Sequence, residues 1–343
     1  CETSEQTNIG FDERFLDSRL GVHADFYIKT TKDWLVEAPI LDTAGARPPV
    51  INGGDVKNTG FELVLNWNDR IGKLNYSIGV NGAYNKNEVG KIPTNDGIIH
   101  GLTNMLYANS EEFYRAQNGY AIGYFWGYKT AGIFQNQADI DAWKAAGNGI
   151  LQGENVKPGD VKFVDQQKDG IIDVNDKVDL GNGMPDFTYG FNISLDYKGF
   201  DFSVYANGAA GNKIVQSYGS QAGKYANYTT AFLNRWTGEG TSNRMPRVTD
   251  TNINWQFSDL YLQDGDYLRI SNITLGYDFS KLIKWKYISQ CRLYASVQNA
   301  FTFTKYDGMD PEIGYGTDGW VYGVDLGYYP RPRTFLFGVN LKF

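Results

Sequence analysis

The sequence predicts an all-β fold, an antiparallel transmembrane β-barrel wall, on three observations. Segments of about eleven residues alternate apolar and polar side chains with a period of two. Eleven residues at roughly 3.3 Å each, tilted by about 45°, rise roughly 25 Å, the height of an outer-membrane apolar band. Short and long connections then take turns along the chain, as in barrels with tight turns on the periplasmic side and long loops outside. A soluble sandwich also alternates, so the connections break the tie.

Nine strands are predicted, near 6–15, 19–31, 54–67, 74–86, 186–197, 200–211, 257–278, 291–304 and 331–343. In the second, Leu20, Val22, Ala24, Phe26 and Ile28 share one face. The fourth sets Leu74, Tyr76, Ile78, Val80 and Tyr84 against Asn75, Ser77, Gly79 and Asn81. In the fifth, Phe187, Tyr189, Phe191, Ile193, Leu195 and Tyr197 oppose Thr188, Gly190, Asn192, Ser194 and Asp196. The last gathers Phe335, Phe337, Val339, Leu341 and Phe343. Trp67, Tyr84, Tyr197 and Phe343 end apolar faces where an aromatic girdle belongs. The links LDSR, NDRIGK, KG and a turn around 279–290 are short, whereas 32–53, 87–185, 212–256 and 305–330 are long. Nine is odd and bacterial single-chain barrels have even counts, so the chain is expected to be part of a larger barrel, with an eight-stranded barrel as the alternative if the count is off by one.

Composition narrows the function. A net charge of -7 and no Lys/Arg cluster argue against nucleic acid, which needs a basic face. Aromatics at 15% and 40 glycines suit a β-rich chain. No apolar run reaches the length of a transmembrane helix, a statement that leaves strands untouched. Two cysteines, Cys1 and Cys291, cannot build a disulfide framework. Only His23 and His100 are present, and HExxH, GxSxG and CxxC are absent, so zinc and Ser-His-Asp chemistry lack their ligands and no enzyme is predicted. His23 falls on the polar face of its strand and reads as a lumen residue. The glycines of GYGTDG, residues 314–319, have no strand before and no helix after them, so they read as a surface loop and not a nucleotide fingerprint.

Within 87–185 the stretch DQQKDGIIDVND has the register of a twelve-residue calcium loop. Calcium takes six to eight oxygens, and such a loop supplies them at positions one, three, five, seven, nine and twelve. Here these are Asp165, Gln167, Asp169, the carbonyl of Ile171, Asp173 and Asp176, with Gly170 at the sharp turn and Ile172 as apolar anchor. Val161, Phe163 and Val178 flank it in extended patterns, so no helix pair is present to open as a sensor does. The expected role is a structural staple for a loop too long to hold itself. Upstream, NQADIDAWKAAG reads as a short helix capped by Asn136 and stopped by Gly147. Trp126 and Tyr128 in YFWGY, with Trp320 and Tyr322 in GWVYG, are candidate platforms for sugar rings. Phe343, ending an alternating strand, matches the signal by which the outer-membrane assembly machinery recognises barrels.

Several stretches, in order, resemble the C-terminal part of SusC/RagA-family TonB-dependent transporters. They are QTNIGFDERFLDSRLGVHADFYIKTTKDWLV, GDVKNTGFELVLNW, PGDVKFVDQQKDGIIDVNDKVDLGNGMPDFTYGFNISLDYKGFDFSVYANG, FLNRWTGEGTSNRMPR, DYLRISNITLGYDF, QNAFTFTKYDGMDPE and YYPRPRTFLFGVNLKF. The resemblance implies the C-terminal part of a 22-stranded barrel, about nine strands of it, with the plug and the TonB-contacting segment upstream. It further implies a place in the bacterial outer membrane, import of a glycan or a peptide, a SusD-like surface lipoprotein as lid, and energy from TonB. Family members more often carry Asn and Gly where Gln167 and Lys168 stand. Two rival readings are a secreted, calcium-stapled all-β glycan-binding module and an exported β-rich hydrolase.

Overall fold

The computed structural model describes residues 2–37, 45, 49–218, 229–282, 286–313 and 319–343. Its wall is a nine-stranded sheet of β1 (Thr3–Phe15), β2 (Leu20–Lys32), β3 (Val56–Ile71), β4 (Leu74–Val89), β5 (Phe187–Tyr197), β6 (Phe200–Ala210), β7 (Tyr267–Asp278), β8 (Gln290–Thr304) and β9 (Thr334–Lys342). Each strand pairs antiparallel with the next in sequence, so the sheet is a continuous meander. Among the described residues β1 and β9 do not pair with each other, and the sheet stays open.

All nine predicted strands are wall strands. The link between β5 and β6 is tight for a local reason: at Lys198 and Gly199 φ is 51° and 92°, the pair of positive values whose twist matches two antiparallel strands. The seventh strand starts later than the alternation suggests. Residues 257–266 instead join the loop body, where Phe257 is buried, Asp259–Tyr261 forms a 3-10 turn and Leu262–Asp264 pairs with Lys213–Gln216. The backbone leaves at Gly265, where a Cβ would lie 2.2 Å from Asn212 Nδ2, and enters the wall at Tyr267.

Burial is inverted relative to a soluble sandwich. Outward wall residues stay open, with Ile9 71%, Val80 49%, Phe335 63% and Phe337 83% exposed. A contiguous apolar face of this kind marks a surface made for lipid or a partner. The buried apolar clusters lie mainly in the loops. One gathers Leu106, Phe113, Tyr114, Phe125, Phe257 and Val321, and another Tyr128, Ile133, Val161, Phe163 and Ile172. The long connections therefore form a packed body at one end of the wall. It contains a four-stranded sheet (Val178–Asn182, Tyr124–Gly127, Tyr114–Gln117, Ile98–His100) and a three-stranded one that joins Lys213–Gln216, Leu262–Asp264 and Val324–Asp325. The predicted helix is α1 (Gln137–Ala145), capped by the Asn136 side chain on the Asp139 amide.

Candidate functional site: the loop body and the mouth of the wall

The stretch from Asp165 to Asp176 folds back on its own carboxylates. Asp165 Oδ2 accepts from the Gly170 amide at 2.7 Å, and its other oxygen accepts from the Lys168 amide. Asp176 accepts from the amides of Gln166, Gln167 and Asp173 at 2.8, 3.2 and 2.8 Å. Burial works against ionisation of Asp165, but the amides of Gly170, Lys168 and Asp169 outweigh it and hold its carboxyl below the ordinary range. Gly170 has φ of 85°, as the sharp turn at position six requires, and Ile172 is buried against Tyr128, Val161 and Phe163. Asp169 and Asp173 cap the amides of Ile171 and Asn175. The donors are all hard oxygens, which suits calcium, yet among the described residues no three His, Cys, Asp or Glu side chains are grouped to hold a metal ion.

The four aromatic candidates are separate packing elements. Arg115 Cζ stands 3.1 Å and Lys177 Nζ 4.5 Å from the ring centroid of Trp126, so cations cover it. Tyr128 is 5% exposed, with Phe163 edge-on at 5.4 Å. Trp320 meets Trp34 and Tyr114 edge-on at 6.1 and 5.3 Å. Tyr322 is half-buried, and its carbonyl passes so close to Gly183 that a Cβ there would lie 2.0 Å away. Packing leaves no open face on Tyr128 for a sugar, while Trp126, Trp320 and Tyr322 are half-buried. Of the GYGTDG glycines, Gly314 and Gly316 lie outside the described residues, as does Cys1.

Two features escaped sequence reasoning. His100 bridges two carboxylates, with Nδ1 2.8 Å from Glu112 and Nε2 2.9 Å from Asp96. A neutral imidazole has one N–H, so two carboxylate contacts call for the imidazolium. Burial alone would lower its pKa, but the bonds to Asp96 and Glu112 raise it, and Asp96 is drawn down to about 2 chiefly by its bond to His100. The second feature is a cavity of about 330 Å³ where the 90–186 loop leaves and rejoins the wall, lined by Asn85, Asn87, Tyr120, Asp179, Asn182 and Asp186. Asn85 and Asn87 come from the inner face of β4, opposite outward Tyr84. Tyr120 belongs to a turn clamped to the end of that strand, with Val89 N to Tyr120 O and Gly119 N to Val89 O both 2.8 Å. The signal that could have flagged it is the Tyr120/Tyr124 pair across a Gly-containing turn.

Further down the inner wall, His23 stands 2.5 Å from Asp25 and 4.0 Å from Asp12, among Arg14, Asn66 and Asn68. Polar side chains thus line one face of the sheet and bare apolar ones the other. A sheet wet on one face and apolar on the other, capped by packed loops at one end, defines the wall of a transmembrane β-barrel.

No family model matches the chain. It is 33% identical to TonB-dependent receptor P3 of Formosa agariphila, a match that covers 100% of this chain and 34% of the relative. It is 29% identical to TonB-dependent receptor SusC of Bacteroides thetaiotaomicron, over 100% of this chain and 32% of that protein. Among solved structures, the RagAB peptide transporter superposes with a TM-score of 0.77 at 22% identity, over 100% of this chain and 35% of that one. The chain belongs to the SusC/RagA family of TonB-dependent transporters, as a portion of the barrel. It spans about a third of the length of the curated relatives it matches.

Proposed function

We propose that the chain supplies part of the barrel wall and outer loops of a protein that imports a nutrient across the bacterial outer membrane, driven through TonB. The observation that carries this reading is the bare apolar outer face of nine meandering strands, topped by a packed loop body, in a chain aligned end to end with TonB-dependent receptors. The cargo is an oligosaccharide or a peptide taken at the extracellular mouth, and a SusD-like lipoprotein closes over the loops. No covalent step is involved. The plug and the TonB-contacting segment belong to parts of such proteins that this chain does not align with. The lipid bilayer covers the outward residues, Phe343 serves outer-membrane assembly, and calcium orders the 165–176 loop.

The secreted glycan-binding module is disfavoured by the same face, which in water would stay uncovered. The test is uptake. Cells lacking the protein should lose accumulation of one labelled oligosaccharide or peptide from a panel, and removal of TonB should abolish the same uptake. Accumulation unaffected by either loss contradicts the proposal.

A further inference from the structure

The cavity at the root of the 90–186 loop has a built recognition surface that neither the wall nor the loop packing uses. Tyr124 is 2% exposed and bonded through its hydroxyl to Gln117 at 2.6 Å. Tyr120 stacks on it, with ring centroids 4.6 Å apart and planes 20° from parallel, and stays 39% exposed. One face of Tyr120 is thus fixed and the other is free over the cavity, a platform whose ordering cost is met before any ligand arrives.

Charge decides what the platform suits. Lys86, which also lines the cavity, pairs with Glu88 at 3.2 Å, and nearby Lys213 and Arg115 pair with Asp264 at 2.5 Å and with Glu112. Asp179 uses one oxygen on the Gly181 amide at 2.8 Å and has no cation within 4 Å among the described residues. The exposed Asp186 carboxylate has no such partner among the described residues, and partial desolvation pushes its carboxyl up. The mouth of the cavity therefore presents two solvent-exposed carboxylates, neither with a cation within 4 Å among the described residues, beside the Tyr120 ring. An anionic group would be repelled and a neutral sugar would offer only neutral hydroxyl donors, whereas a cation makes the stronger charge-assisted bonds to the carboxylates and is also attracted by the ring. About 330 Å³ is at the small end of ligand sites, room for one side chain and not for a whole oligomer.

We infer that this cavity is a subsite for one basic residue of a peptide cargo, its ammonium or guanidinium held by Asp179 and Asp186 and its stem laid on Tyr120. This rests on the import reading and narrows its cargo to peptides with lysine or arginine. Because the cavity is walled by both roots of the loop and by the inner face of β4, an occupied subsite also ties the loop to the wall.

The test is calorimetric titration of the intact detergent-purified protein with three probes. They are an end-capped pentapeptide with one central lysine, its norleucine counterpart, and maltopentaose. The lysine peptide should bind at least about tenfold tighter than the norleucine peptide, the weight of a charge-assisted contact. Asp179→Asn and Asp186→Asn should each remove most of that preference, Asp186→Glu should restore it, and salt should shrink it. Heat-modifiable mobility on gels checks that each variant is assembled. Equal binding of the two peptides, a preference that survives both Asn variants, or tighter binding of maltopentaose overturns the subsite. If no probe binds while cells still need the protein for uptake, the subsite fails and import stands. If uptake is also independent of the protein, import fails as well.

Discussion

Asp160 offers the sharpest perturbation of the loop body. It is 1% exposed, and its carboxylate takes Arg247 Nε and Nη2 at 2.7 and 3.3 Å, Asn254 Nδ2 at 2.8 Å and the Lys157 amide at 2.8 Å. These bonds join the 90–186 loop to the 211–266 loop. In Asp160→Ala, fully buried Asn254 loses the acceptor of its Nδ2, a cost of about 1–3 kcal/mol. Arg247 loses its counter-ion, which costs about 3–5 kcal/mol in a dry site and less here because its side chain is 26% exposed. A local loss of about 3–4 kcal/mol follows, which raises the population of the opened loop by more than about a hundredfold. Hydrogen exchange read by mass spectrometry should accelerate across 130–163 and 243–255. Wall peptides should not change, since the wall strands have their own ladder of hydrogen bonds. Exchange in both loop segments within roughly threefold of the wild type refutes the assignment of this contact as the clamp.

Three further outcomes are expected. Because the folded pKa of His100 is raised, its contribution to holding the Ile98–His100 strand is complete below the unfolded value of 6.5 and fades as pH rises through the folded value. Tryptic cleavage after Arg115, relative to an exposed control site, should therefore increase between pH 6 and pH 8, and His100→Gln should remove that dependence. Chelation of calcium should render 165–176 sensitive to protease while the barrel keeps its heat-modifiable mobility; unchanged protection in chelator counts against a metal there. Removal of Phe343 should lower the amount of assembled barrel recovered in outer membranes, and an undiminished yield makes it a girdle residue alone.

The wall was legible because lipid on one side and water on the other impose a period of two that no other feature of the chain blurs. Leu74 to Tyr84 could be assigned residue by residue for that reason. The seventh strand was misplaced at its start because Phe257, Leu260 and Leu262 are apolar for a different core, that of the loops. The loop body itself was opaque. Its contacts join residues far apart in sequence, Asp160 to Arg247 and Gln152 to Asn254, and no local pattern records such partners. Loop aromatics such as Trp126 carry the same residue signature whether they stack on a sugar or under Arg115. The turn at Gly170 and the anchor at Ile172 were readable because they depend on neighbours within the same twelve residues.

The lipid-facing wall is tested most directly by spin labels placed singly along β4, from residue 75 to 81, in the intact protein in outer-membrane vesicles with native cysteines replaced. Labels at Tyr76, Ile78 and Val80 should be reached by oxygen from the bilayer, and labels at Asn75, Ser77 and Asn81 by a water-soluble nickel reagent. Equal access of the nickel reagent to both sets would contradict a transmembrane wall.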